Sequence, residues 1–446
     1  MPEHYDPNLR SWVESANDPA TDFPIQNLPL CSFEAAHDGH SHGHLGVVIG
    51  DQVLDVSALA EAGFFQNDGE EVQYGLRFPY WLGFARFPSA LGAMRAKLRG
   101  FLSADNQAGG QQARRLRQKA MRPLAEMRFA PPLPAFNYTD FYASIHHATT
   151  VGAMFRPDNP LLPNYKHVPI GYHGRASSIV ISGSEITRPA GQQSPAEGGS
   201  APSFGPCAML DYELEVGFFV AGGNRLGEAI PIGRAHEHLL GVCLVNDWSA
   251  RDIQKWEYQP LGPFLAKNFA TTISPFVVTM DALEPFRCPA YARPEGDPAP
   301  LPYLFSEQDQ QRGGIDLTLE VYLQSEQMRT RGMAPQLISR SNAFRDLYWT
   351  PAQLLTHHAS NGCNLQPGDL FASGTVSGRE ASERGCLLEL TWDGPGKPRK
   401  PIQLPTGESR TFLADGDEVI MKGHCEREGY RRIGLGECRG RIVTAR

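Results

Sequence analysis

A mainly β fold of the α+β class, with a small N-terminal domain ahead of a large C-terminal one, is the architecture this sequence predicts. The chain has 446 residues and 41% hydrophobic content, enough to build two cores. From "SSIVISG" (177–183) onward it is a succession of short β-type runs punctuated by Gly and Pro. A proline-rich break, "RFAPPLPAFNYTD" (128–140), separates those runs from a helical stretch upstream.

Along the chain, "HLGVVIGDQVLDVSAL" (44–59) reads as two short strands joined by a turn at Gly50-Asp51. Residues 88–121 carry an Ala/Leu/Arg-rich helical pattern. Pro131, Pro132 and Pro134 disfavour its continuation, so the domain boundary is placed near residue 120, giving domains 1–120 and 121–446. In the second region "SSIVISG", "LEVGFFVAG", "SPFVVTM", "IDLTLEVYLQ", "CLLELTW" and "DEVIMKGH" read as strands, and "RDLYWTPAQLLTHHASNG" reads as a helix. Strands this short between turn residues predict mainly antiparallel pairing.

A net charge of −8 without a long basic run gives no general attraction to nucleic acid or to an anionic membrane. The first twenty residues are polar and acidic, unlike a secretory signal, and no stretch approaches eighteen apolar residues. Eight cysteines are scattered without a C-x-x-C pair, which argues against a zinc ribbon or a disulfide framework. A cytoplasmic, reduced protein is expected.

Three segments imitate functional motifs. "HDGHSHGH" (37–44) holds four histidines and a formal G-x-S-x-G, but strand-like sequence follows where a nucleophile elbow needs a helix. It is expected to be a solvated, flexible loop without fixed metal geometry. "GLGECRG" (434–440) resembles a dinucleotide loop but has no helix after it. His357 and His358 lie in an amphipathic run with Leu354 and Leu355, where packing explains them.

The chemistry lies elsewhere. Asp140 in "NYTDFY", Glu213 and Glu215 in "LDYELEVGFFV", and Asp247 in "VNDWSARD" each set a carboxylate in apolar or aromatic surroundings. Each acid alone is explained by a salt bridge or an exposed turn. Taken together, buried carboxylates require cations, donors or a metal, and an all-oxygen set suits Mg²⁺ or Ca²⁺. The period-2 rule turns Glu213 and Glu215 to one face, along with Asp211, and does not say which of the three are ligands. Nearby, His147 offers a general base, Arg251, Gln254 and Lys267 offer donors to an oxyanion, and Arg156 offers a partner for a substrate carboxylate. Arg251 and Gln254, three apart, would face one place from a helical turn. Metal-assisted chemistry on an anionic carbonyl compound is the expectation.

The blocks "YTDFYASIHHATTVGAMFR", "PIGYHGRASSIVISG", "LDYELEVGFFV", "AHEHLLGVCLVNDWSARDIQKWEYQPLGPFLAKNFATTISPFVV", "LTHHASNGCNLQPGDLFASGTVSG" and "LADGDEVIMKGHC" resemble the fumarylacetoacetase family of C–C bond hydrolases. The likeness spans the second region and extends more weakly to "GVVIGDQVLDVSAL". It implies an N-terminal SH3-like β-barrel, a large C-terminal β-sandwich roll that carries the site, and a homodimer. It also implies hydrolysis of 4-fumarylacetoacetate to fumarate and acetoacetate, the last step of tyrosine and phenylalanine catabolism.

Carried over motif by motif, the resemblance makes Asp140, Glu213, Glu215 and Asp247 ligands of Mg²⁺ or Ca²⁺, with Lys267 and Thr271 close to the metal, and leaves Asp211 outside. His147 matches the catalytic base, and Glu389 in "CLLELTW" matches the carboxylate that orients it. Arg251, Gln254 and Lys267 match oxyanion positions, and Tyr142, Arg156, Tyr172, Gln254, Tyr258 and Thr375 match substrate contacts. Two rival readings stand beside it. One is a related acylpyruvate or fumarylpyruvate hydrolase with the same acids. The other is a non-enzymatic metal-binding protein built on the His-rich loop.

Overall fold

The computed structural model describes residues 3–37, 40–106, 110–196 and 198–445. Its N-terminal sheet is built around the hairpin Leu30–His37 and His40–Ile49, in register from Leu30↔Val47 to His37↔His40. Gln52–Asp55 pairs with the second of these strands across the Gly50-Asp51 turn, where Gly50 has a φ of 56° that only glycine adopts freely. Met121–Pro123 and Phe129–Ala130 complete the edges, so this sheet runs on to Ala130. Against it lie the helices Val56–Glu61, Glu70–Gly75, Leu82–Arg86, Pro88–Leu102 and Gln111–Ala120. Asp55 caps the first of them by accepting the Ala58 N–H at 2.8 Å.

An eight-stranded sheet organises the rest of the chain. Its order is Gly171–His173, Tyr138–Phe141, Leu370–Ala372, Leu214–Val220, Leu239–Asp247, Thr271–Ile273 and Ile179–Ile181, with Val278–Thr279 also on Leu239–Asp247. Most pairs are antiparallel, while Leu370–Ala372 with Tyr138–Phe141 and Thr271–Ile273 with Ile179–Ile181 are parallel. A five-stranded sheet, Gln336–Asn342, Thr318–Gln324, Glu418–Cys425, Ile433–Val443 and Glu185–Thr187, shares one apolar core with it. Leu244, Trp248, Leu319, Val321, Met421 and Leu435 are buried in that core. The opposite face of the large sheet meets the N-terminal region. There Leu370, Val245 and Ile273 join Leu30, Trp81 and Leu98 in a second core, and Leu30 and Val277 exchange backbone hydrogen bonds at 2.9 Å. The two regions therefore share buried apolar surface, which backs the eight-stranded sheet.

The mixed α/β content with many strands agrees with the expected class, and three local expectations are corrected. Residues 40–44 of the His-rich patch form strand paired with 33–37, so the patch is hairpin rather than free loop; residues 38 and 39 lie outside the described residues. His44 Nδ1 sits 3.1 Å from buried Asp55, a structural use that accounts for this histidine. "CLLELTW" is not a strand: Leu387–Leu390 is a helical turn, because the Asp211 carboxylate accepts the N–H groups of Leu387 and Leu388 at 2.8 and 2.9 Å. Likewise the strand at 210–220 is interrupted. Leu210–Asp211 pairs with Ser249–Ala250, and a separate strand begins at Leu214. Residues 434–440 lie within strand Ile433–Val443, and among the described residues no helix follows them. Pro351–Ala359 is a helix with a Thr350–Gln353 capping box, and His358 stacks on Phe371 at 4.9 Å. Among the described residues no helix is long and apolar enough to cross a membrane.

Candidate active site

Four carboxylates converge at one end of the sheet's central strands: Asp140 on Tyr138–Phe141, then, across the intervening Leu370–Ala372, Glu215 on Leu214–Val220 with Glu213 just ahead of it, and Asp247 on Leu239–Asp247. Asp140 pairs with Ala372, Leu214 with Asn246 and Asp247 with Thr271, so Asp140, Glu213, Glu215 and Asp247 meet across the middle of the sheet. One carboxylate oxygen from each can be chosen so that all lie within 4.8 Å of one another. All four are at least 95% buried, where uncompensated charge is costly.

The compensation is uneven. Lys267 Nζ bonds Glu213 Oε2 and lies 2.9 Å from Asp247 Oδ2. Arg251 Nη1 lies 2.7 Å from Glu213 Oε1, although Arg251 also bonds Asp211 at 3.0 Å. Burial alone would raise Glu213, but Lys267 and Arg251 hold its carboxyl well below the usual range. Thr271 and Tyr172 donate to the two oxygens of Asp247 at 2.7 and 2.9 Å. By contrast, no donor among the described residues reaches either oxygen of Glu215 or Oδ1 of Asp140. Burial, followed by the neighbouring carboxylates, pushes both of these carboxyls well above their ordinary range. An all-oxygen cluster with surplus negative charge and orphaned oxygens fits a hard divalent cation.

Beside this cluster stands a second unit. His147 lies in the first turn of helix Ile145–Phe155, whose N-cap Ser144 accepts the His147 N–H at 3.3 Å. Its Nδ1 is 2.6 Å from Glu389 Oε2 in a buried pair. A carboxylate accepting at Nδ1 fixes the neutral tautomer whose Nε2 can take a proton. Tyr142 packs edge-on to the imidazole at 5.3 Å.

Arg251 and Gln254 do share a helical turn, in Arg251–Glu257, where Arg251 Nη1 donates to Gln254 Oε1 at 3.1 Å. Among the described residues Arg251 Nη2 is buried without a hydrogen-bond partner, and the Gln254 amide N–H groups donate to no protein acceptor. Tyr258 ends that helix, and its ring lies 5.8 Å from Phe155, next to Arg156, whose buried Nε has no partner among the described residues. Thr375 is buried, and its hydroxyl has no partner among the described residues. Tyr172, Asp247, Lys267 and Thr271 also border a cavity of about 510 Å³ that extends to Arg175 and Phe264.

The family follows from the alignment of the whole chain. Residues 137–443 match the Fumarylacetoacetate (FAA) hydrolase C-terminal family, and residues 26–132 match the Fumarylacetoacetase N-terminal family. The chain belongs to the fumarylacetoacetase family. It is similar to the fumarylacetoacetase of Bos taurus, 49% identical over 438 residues, covering 98% of this chain and 99% of that one. The Homo sapiens relative is 48% identical over 440 residues and the Arabidopsis thaliana relative 45% over 449, each covering 98% of this chain and 99% of the relative.

Within this fumarylacetoacetase-family site, sequence reasoning missed three residues. Asp211, on the ligand face by period, instead holds Arg251 and caps the turn bearing Glu389. Ser144, a serine just ahead of a helical run, carried an N-cap signal that could have been read. Ser377, whose hydroxyl reaches Glu389, carried none.

Proposed function

We propose that this chain cleaves the C–C bond of 4-fumarylacetoacetate with water, giving fumarate and acetoacetate, the closing step of tyrosine and phenylalanine breakdown. The observation that carries this reading is the convergence of four buried carboxylates beside a buried His147–Glu389 pair in a chain 43–49% identical to curated fumarylacetoacetases. Asp140, Glu213, Glu215 and Asp247 would hold Mg²⁺ or Ca²⁺, with Lys267 and Thr271 alongside. When bound, the ion supplies Lewis-acid polarisation of the diketone.

The protein's own groups do the rest. Tyr142, Arg156, Tyr172, Tyr258 and Thr375 orient the dianionic substrate, and Arg156 pairs with a carboxylate. His147 Nε2 takes a proton from water as the water oxygen bonds to the carbonyl carbon beside the fumaryl group. Arg251, Gln254 and Lys267 donate to the oxyanion. Collapse restores the carbonyl and breaks the bond to the methylene carbon, which takes the proton from His147, so that atoms and charge balance.

The same reading has an SH3-like N-terminal barrel drawn from residues 1–120 together with the edge strands Met121–Pro123 and Phe129–Ala130, a β-sandwich roll on the rest of the chain and a cytoplasmic homodimer. The test is product identification by NMR after incubating the purified protein with fumarylacetoacetate. Equimolar fumarate and acetoacetate are expected. An inert fumarylacetoacetate together with turnover of fumarylpyruvate would move the assignment to an acylpyruvate hydrolase.

A further inference from the structure

We propose that Ser377 is a positioning residue for this reaction: its hydroxyl holds the Glu389 carboxylate on Nδ1 of His147, while its main chain is tied to the helix that carries His147. The inference rests on His147 being the base. Ser377 Oγ lies 2.6 Å from Glu389 Oε2, the same oxygen that faces His147. That hydroxyl also accepts the Gly385 N–H at 2.9 Å, which occupies a lone pair and directs its single proton at Glu389. On the other side, Ser144 Oγ donates to the Ser377 carbonyl at 2.9 Å and accepts the His147 N–H as helix cap.

A closed circuit results. From the His147 backbone it runs through Ser144 to the Ser377 main chain, then through the Ser377 hydroxyl to Glu389, and back to the imidazole. Ser144, Ser377 and Glu389 are all at least 97% buried, so water cannot substitute for any link. Cys386 Sγ, 3.3 Å from the same oxygen, adds a weak donor, and Arg384 approaches the other oxygen at 3.7 Å. His147, Cys386 and Arg384 lie against Glu389, and Tyr142, Tyr212 and His146 lie near enough to feel its charge.

Burial alone would raise Glu389, yet His147, the Ser377 hydroxyl and Arg384 hold it below its ordinary range. Loss of the hydroxyl takes a donor from the oxygen that faces His147, so more of that oxygen's charge falls on the imidazole and its angle to Nδ1 is less fixed. The imidazole is then held less firmly in the orientation that leaves Nε2 free to take a proton from water.

The test compares Ser377→Ala, Ser377→Thr, His147→Ala and Ser339→Ala in pH profiles of fumarylacetoacetate turnover. Ser339 is an equally buried hydroxyl bonded to the nearby Arg384 carbonyl at 2.7 Å and serves as the structural control. In Ser377→Ala, kcat should fall about ten- to a hundredfold, the scale of lost outer partners of a catalytic group. KM should stay within about twofold and the acid limb should move to higher pH by about one unit. Threonine should restore most of the rate, and Ser339→Ala should leave the limb in place. Ser377→Cys, a weaker donor of similar size, carries the comparison if the alanine variant does not fold, with an intermediate limb expected. Parental kcat and pH profile in Ser377→Ala beside an inactive His147→Ala would overturn this inference alone. So would an equal, pH-independent loss in Ser377→Ala and Ser339→Ala. Parental turnover in His147→Ala would overturn the base assignment and this inference together.

Discussion

Replacing Glu215 by glutamine should weaken metal binding and yet stabilise the metal-free protein. Two unit charges no more than 4.8 Å apart at an effective dielectric of about 20 repel by at least about 3.5 kcal/mol, so three charged carboxylate neighbours would impose on the order of 10 kcal/mol on Glu215. Lys267, already bonded to Glu213 and Asp247, offsets only part of this. Protonating one glutamate at pH 7, from an ordinary value near 4.3, costs about 3.7 kcal/mol. Proton uptake therefore wins, and it sets the penalty that the metal-free protein bears at pH 7. Glutamine removes that penalty.

A carboxyl raised in the folded state imposes no penalty below its unfolded value of about 4.3, and the penalty grows as pH rises above it. Chelator-treated Glu215→Gln should thus exceed the chelator-treated parent by about 2–4 kcal/mol at pH 7.5, with the gap closing toward pH 4.5. Urea unfolding at the two pH values measures this directly, and a parallel Mg²⁺ or Ca²⁺ titration should raise the Tm of the parent and not of the variant. A variant less stable than the parent at pH 7.5, a gap independent of pH, or equal ion-induced shifts would refute the electrostatics.

Two further outcomes follow from local geometry. Asp309 is buried against the Thr350 hydroxyl, and burial pushes its carboxyl up to about 6, so native stability should fall between about pH 4 and pH 6 and then level off. Asp309→Asn should therefore match the parent near pH 4 and exceed it by about 2–3 kcal/mol at pH 8, and a constant difference in thermal denaturation at both values would exclude this. Gly152 lies on the helix that bears His147 and leads into Arg156, and a Cβ there would sit 2.0 Å from the Pro160 carbonyl oxygen. Gly152→Ala should cost about 1–3 kcal/mol and lower kcat/KM by displacing that helix, whereas parental Tm and rate would show that the contact yields freely.

Much of this site was legible because its residues sit in long, ordered blocks, and because strand periodicity puts Glu213 and Glu215 on one side. Periodicity failed at Asp211, since the strand breaks after that residue. The break is set by pairing with Ser249–Ala250 and by two backbone N–H groups some 176 residues away, which no local pattern encodes. "CLLELTW" was misread for the same reason, as its apolar alternation suits a strand and only the remote Asp211 carboxylate makes it a helical turn. The His-rich patch looked like a loop by composition, yet its pairing partner is the sequence immediately before it. Helix starts fared better, because the Thr350–Gln353 cap is local.

Fumarylacetoacetate cleavage followed by loss of the substrate's diketone absorbance, in untreated, exhaustively chelated and Mg²⁺- or Ca²⁺-restored protein, tests the central claim most directly. Turnover in the untreated protein, its loss on chelation and its return with the ion are predicted. Undiminished turnover after chelation, or none in any state, would contradict metal-assisted hydrolysis at the Asp140, Glu213, Glu215 and Asp247 cluster.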